Sequence, residues 1–217
     1  GCGWGSLSLY IAKHFKNVKI TSISNSKTQK KYIDTMSKEH QLPITVQTID
    51  IGNTPITGTF DRIVSIEMFE HMRNYEKLLR LCSNILSNTG KLFVHIFGHH
   101  QYTYTFDTNG NSNWMARHFF ENGLMPSKSL FQKFNTDMTI QNKWTVNGTH
   151  YQKTSEAWLY NMDQNIHNIR DLFQDTYGQH ATKFESYWRI FFMSCAELFG
   201  FNQGKEWQVY HYLFKKV

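Results

Sequence analysis

Apolar and polar positions follow two rhythms along this chain, and the places where one gives way to the other mark out its elements. Leu7, Leu9, Tyr10, Ile11 and Phe15 predict a helix over 6–15, entered from the glycine turn Gly1-Cys2-Gly3-Trp4-Gly5. Residues 18–23 are apolar at every second position and read as a strand. Tyr32, Ile33 and Met36 then fall at helical spacing within 27–40. The alternation continues with strands at 44–49 and Phe60–Ile66, a leucine-rich helix at 75–86 that Asn88-Thr89-Gly90 stops, and a strand at 92–97. Such an order predicts an α/β domain with a mostly parallel sheet covered by helices, and ligands held by the loops after Ile23, Ile49, Ile66 and Phe97.

Beyond about His99 the rhythm breaks into aromatic and polar segments at 114–120 and 128–134. A strand at 139–146 follows, then helices near 155–162 and at Ile166–Tyr177. An aromatic helix at 184–199 and an alternating strand at 206–214 close the chain. The expected organisation is a ligand-binding core at 1–98, a helical cap insertion at 99–180 that covers a pocket and contains the strand near 139–146, and a closing helix and strand at 181–217. A glycine turn works when a strand feeds it, and here the chain opens on the turn without an initiator Met. The first strand is therefore expected to be missing, through an N-terminal truncation.

Composition narrows the classes. The 217 residues are 40% hydrophobic and 16% aromatic, enough for a packed core, and intrinsic disorder is excluded. Lys and Arg number 23 against 17 for Asp and Glu, but they are scattered and form no nucleic-acid stripe. Cys2, Cys82 and Cys195 lie far apart, with no paired spacing for a disulfide framework or structural zinc, so a reducing, cytoplasmic setting is expected. No apolar run has the length of a membrane span and no secretory signal is visible, which leaves Asn147-Gly148-Thr149 a chance match to the glycosylation sequon.

The loop after Phe60–Ile66 carries the candidate chemistry. Glu67, Glu70 and His71 stand at i, i+3 and i+4 and would share a face if the turn is helical; the plainer alternative is solvated surface charge. A buried Glu beside a His can hold a proton near neutral pH, as a general base requires. His95, His99 and His100 form a second cluster, read as hydrogen-bonded pocket residues rather than metal ligands because no carboxylate spacing accompanies them.

GCGWGS at the start, SNSKTQ at 24–29, SIEMFEH at 65–71, LFVHIFGH at 92–99 and VNGTHYQKTSEAW at 146–158 together resemble the cyclopropane-fatty-acid-synthase superfamily of S-adenosylmethionine-dependent methyltransferases. Within it, NWMARHFF at 113–120, LMPS at 124–127 and YWRIFFMSCAELFGFNQGKEWQV at 187–209 look most like the coclaurine N-methyltransferase branch. The resemblance implies a class I, Rossmann-like methyltransferase fold. Gly1, Gly3 and Gly5 would approach the methionine part of S-adenosylmethionine, Ser24 and Gln29 its ribose, and Asp50 and Ile51 its adenine, with turn capping as the alternative for Asp50.

Two acceptors compete under that resemblance. One is a small-molecule amine, whose nitrogen Glu70 and His71 would together deprotonate or orient, with Glu67 as a nearby third polar group and Trp188 and Phe191 as an aromatic wall. The other is an unsaturated lipid acyl chain, converted to a cyclopropane. In the synthases that do this, a bicarbonate base is held by groups to which Glu70, His95 and Tyr151 correspond. Those synthases carry Gly where this chain has Glu67, and a carboxylate there would repel the bicarbonate, which favours the amine. A catalytically idle binding protein on the same fold is a third class, and the intact SIEMFEH motif speaks against it.

Overall fold

The computed structural model describes residues 1–108 and 113–217, and both rhythms of the sequence are present in it. Helix α1 (Ser6–His14) follows the glycine turn, and then come β1 (Ile20–Ser24), α2 (Lys27–Glu39), β2 (Ile44–Thr48) and β3 (Phe60–Ile66). A single 3-10 turn at Phe69–His71 leads into α3 (Tyr75–Ile85) and β4 (Leu86–His99). The ends of these elements have local causes: the Ser26 hydroxyl accepts from the Gln29 N–H to start α2, and the Asn74 side chain accepts from the Lys77 N–H to start α3. Asn88-Thr89-Gly90, expected only to stop the helix, instead lies inside β4. The pairing of β3 with β4 jumps from Phe60↔Leu86 to Arg62↔Lys91, and these residues take up the difference as a bulge.

The second half contributes β5 (Tyr104–Thr105), α4 (Trp114–His118), β6 (Leu124–Met125), β7 (Met138–Val146), α5 (Gly148–Gln164), α6 (Ile166–Tyr177), α7 (Ala181–Gly204) and β8 (Trp207–Lys216). Strand β7 belongs to the main sheet and divides the expected insertion, and the three long helices α5, α6 and α7 lie between β7 and β8. Among the described residues no helix is long and apolar enough to cross a membrane.

The main sheet runs β3-β4-β8-β7, with β3 and β4 parallel and β8 antiparallel to both of its neighbours. Strands β1 and β2 form a separate parallel pair. No described strand bridges β1 and β3, and Val64 and Ile66 on that side of β3 are 45% and 38% exposed. The glycine turn occupies part of this boundary, where the Cys2 N–H donates to the Ile23 carbonyl at 2.8 Å.

Alternation in the central strands builds the core. Leu92, Val94 and Ile96 of β4 meet Tyr210, Tyr212 and Phe214 of β8 and the apolar face of α3. Phe131 is buried among Phe69, Tyr75, Tyr212 and Phe214 at ring separations of 5.0–5.9 Å. Burying such a ring contributes about 1.5–3 kcal/mol, and here it also clamps the 3-10 turn against the sheet.

Helix α5 begins earlier than its apolar pattern implies, because the Asn147 side chain accepts from the Thr149 N–H and caps it while donating to the Gln203 carbonyl. The apparent sequon is thus a helix cap. Helical geometry in α7 lapses after Gly200, with Phe201 extended and Asn202 and Gln203 left-handed. Gly204 turns with φ +69° beside Asn147, and a Cβ on Gly148 would run into the carbonyl oxygens of Phe199 and Trp207. Backbone cannot give way as a flexible side chain does, so Gly148→Ala is expected to cost about 1–3 kcal/mol. A thermal melt should show a Tm loss of roughly 2–4 °C for each kcal/mol, whereas an unchanged Tm would mean that this junction is loose.

Candidate active site

The turn after β3 is positioned by a ladder that changes partners. The last backbone bond between the end of β3 and β4 runs from the Glu67 N–H to the His95 carbonyl at 3.1 Å. Two residues further along β4, the Phe97 N–H donates instead to Glu70 Oε1 at 3.0 Å, so a side chain takes over where the strand stops. Glu70 is completely buried, and its Oε2 has no partner among the described residues. Burial, and then the charge of Glu67, push its carboxyl well above the usual range; the backbone N–H bonds oppose this without reversing it. Glu70 therefore holds its proton more tightly than a solvated carboxyl does.

This separates the three residues expected on one helical face. The 3-10 turn covers only Phe69–His71, and Glu67 precedes it at φ +52°, a left-handed conformation unusual for a residue with a side chain. That conformation swings the Glu67 carboxylate to the other side, where Oε1 faces His95 Nε2 at 2.9 Å and Oε2 accepts from the Tyr151 hydroxyl at 3.4 Å. Burial, and then the charge of Glu67, raises the Tyr151 hydroxyl and pushes the nearby Cys195 thiol up to about 12. His71 is exposed, with its ring 4.7 Å from Phe120. Partial burial lowers its pKa, so the imidazole is neutral.

The aromatic wall continues from there. Phe119 stacks on Phe191 at 4.5 Å and meets Trp188 edge-on at 4.9 Å, so the pair Phe119-Phe120 links His71 to both expected wall residues. Trp188 and Phe191 also line an apolar cavity of about 650 Å³ between α5, α6 and α7, and the Trp188 indole donates to the Tyr177 hydroxyl at 3.3 Å.

The histidines after β4 fall into two groups. His95 serves Glu67, while His99 and His100 lie with Glu206, their ligand atoms within 4.8 Å of one another. His99 Nδ1 accepts from the backbone N–H groups of Gln101 and Tyr102 at 3.0 and 2.8 Å. Its proton is thereby placed on Nε2, which faces Glu206 as a donor rather than as a metal ligand.

The glycine turn meets this site directly. A Cβ on Gly1 would strike Met68 and one on Gly5 would strike Ile33, whereas Gly3, at φ +53°, faces open space. Ser24 is buried and donates to Gln29 Oε1 at 2.6 Å, which sets both side chains at the end of β1. Asp50 accepts from the Gly52 N–H and the Asn53 side chain, and so caps its turn as in the alternative reading, with partly buried Ile51 beside it. Sequence reasoning missed Phe119, Phe120, Cys195 and His211. Only strand register brings His211 to 3.0 Å from His95, and no local spacing signals that contact.

The order of strands and the loops gathered at their ends define a class I methyltransferase fold. The chain belongs to the mycolic acid cyclopropane synthetase family, whose model matches residues 1–209. It is 39% identical to the (S)-coclaurine N-methyltransferase of Thalictrum flavum subsp. glaucum over 100% of this chain and 62% of that protein. The cyclopropane-fatty-acyl-phospholipid synthase of Escherichia coli (strain K12) is 25% identical over 96% of this chain and 51% of that protein. A crystal structure of coclaurine N-methyltransferase bound to N-methylheliamine and SAH superposes with a TM-score of 0.93 at 38% identity, covering 99% of this chain and 66% of that one. The chain thus spans about 62% of the length of the first of these relatives.

Glu70 makes stability depend on pH with a definite sign. Its carboxyl ionises at the ordinary value in the unfolded chain but holds its proton in the fold, so its contribution is complete below the ordinary value. That contribution is lost as pH rises towards the folded value. Glu70→Gln keeps an acceptor for the Phe97 N–H and cannot ionise. Melts from pH 4 to 8 should show the native protein losing stability relative to Glu70→Gln as pH rises; parallel curves would mean that Glu70 is ionised in the fold.

Proposed function

We propose that this chain forms the catalytic part of an S-adenosylmethionine-dependent methyltransferase acting on the nitrogen of a small amine. The observation that carries the reading is the placement of the Glu67 carboxylate between His95 and Tyr151. By resemblance, these two residues are among the ligands of a bicarbonate base in cyclopropane synthases. Here they hold a carboxylate of the chain itself, and the site needs no separate anion.

The residues present fit the cofactor. Gly3 leaves its side of the turn open, Gly1 and Gly5 let Met68 and Ile33 pack close and set the turn's path, and Ser24 and Gln29 are set together at the end of β1. Gly1, Gly3, Gly5, Ser24, Gln29, Asp50 and Ile51 would hold S-adenosylmethionine, which when bound supplies an electrophilic methyl group on sulfonium. The chain's own residues prepare the acceptor. Glu67 takes a proton from the ammonium form of the amine: the N–H bond breaks, an O–H bond forms on Glu67, and the electron pair stays on nitrogen for attack. Protonated Glu70 keeps the site to a single anion, and neutral His71 orients the nitrogen. Trp188, Phe191 and Phe119 offer aromatic faces to the cationic product.

Residues 1–98 and 181–217 serve as the cofactor core in this reading, with 99–180 as its cover. The unpaired Cys2, Cys82 and Cys195 suit a reducing, cytoplasmic setting.

Product mass spectrometry should decide the reaction. The protein, given labelled S-adenosylmethionine with either amines or unsaturated phospholipids, should methylate an amine at a rate indifferent to bicarbonate. Cyclopropane product that rises with bicarbonate would overturn the proposal. Glu67→Gln keeps the acceptor for His95 but cannot take a proton, and should lower kcat by about two to four powers of ten. Full turnover in that variant would remove Glu67 as the base.

Trp188→Leu tests the wall. The indole face is worth about 0.5–2 kcal/mol to a cation, so KM for the amine should rise roughly two- to thirtyfold while cofactor affinity holds. An unchanged KM would place Trp188 outside the acceptor site.

A further inference from the structure

Glu67 is the near end of a longer chain of groups. His95 faces it through Nε2, while the other ring nitrogen, Nδ1, faces His211 Nε2 at 3.0 Å. The two histidines are register partners on β4 and β8, with ring centroids 4.8 Å apart. Phe93 packs on His211 at 5.3 Å, and on β7 the register partner of His211 is Trp144, which offers it no acceptor.

The carboxylate fixes the direction of the first hydrogen bond. A carboxylate only accepts, so a His95 that serves Glu67 carries a proton on Nε2, and as a neutral ring it then presents Nδ1 as an acceptor. A donor must then stand at Nδ1, and the Nε2–H of His211 is that donor. With a single proton on His95, at Nε2, all three groups are satisfied when His211 donates from Nε2. Removing the donor leaves Nδ1 of a partly buried ring without a partner, and the competing tautomer, with its proton on Nδ1, turns a lone pair towards the carboxylate.

We propose that His211 is a positioning residue: by donating to His95 Nδ1 it selects the His95 tautomer that donates to Glu67, and so holds the carboxylate where it meets the amine. This rests on the reading of Glu67 as the base. His211 touches neither reactant in that arrangement and acts only through His95.

The test reads the tautomer directly. Two-bond 15N–1H spectra of histidine-labelled protein should show His95 wholly protonated on Nε2. His211→Phe keeps a ring beside Phe93 and removes the donor; it should give His95 a mixture of tautomers and lower kcat about five- to tenfold, the worth of one hydrogen bond, with KM for the amine changed less than twofold. His211→Gln can donate from its amide to the same atom and should restore both the tautomer and most of the rate.

Wild-type His95 protonated on Nδ1 would overturn the proposal even if no variant folds. A His211→Phe protein with an unaltered His95 tautomer would do the same, as would His211→Gln as slow as His211→Phe. The spectra need no turnover, so a wild-type protein that methylates no amine would count against the proposed function alone.

Discussion

The bond from the Phe97 N–H to Glu70 is the constraint on which the site depends. A backbone N–H buried at the end of a strand must find an acceptor, and β3 has already stopped. The Glu70 carboxyl supplies the missing acceptor and in doing so draws the turn at Phe69–His71 over the end of β4. Phe69 then packs on Tyr75 and Phe131, and the Tyr75 hydroxyl donates to the Phe69 carbonyl. The turn is therefore part of the core, and residues on either side of it inherit its position.

Electrostatics divides the labour between the two glutamates. Burial and then the charge of Glu67 both disfavour ionisation of the more deeply buried Glu70. Glu67 is left ringed by donors: His95, Tyr151 and, behind His95, His211. Its left-handed backbone costs of order 1–3 kcal/mol, and the surrounding structure holds it there. Gly would adopt this conformation without strain.

Much of this was legible in the sequence because the decisive patterns are local. Alternation in β4 and β8, the apolar face of α3 and the end of helical geometry in α7 near Gly200 all correspond to runs that can be read in order. Glu67, Glu70 and His71 were visible as a group. Their division of roles was not, since helical spacing says nothing of a left-handed residue at 67 or of a carboxyl that completes a strand ladder. His211 is silent in sequence for a related reason: its partner lies 116 residues away and meets it only through antiparallel register. Asn147 was set aside as a chance glycosylation pattern, and its capping role stayed hidden because the same side chain fits both.

The interlock of Asn147, Gly148 and Gly204 gives the three long helices a shared point of departure and return. Strands β7 and β8 are already paired at Val146↔Val209, immediately outside that point. The excursion through α5, α6 and α7 is thus a closed detour whose two ends touch. Its length and lining can be traded for others without disturbing the sheet, while the turn at Phe69–His71, anchored on β4, stays as it is.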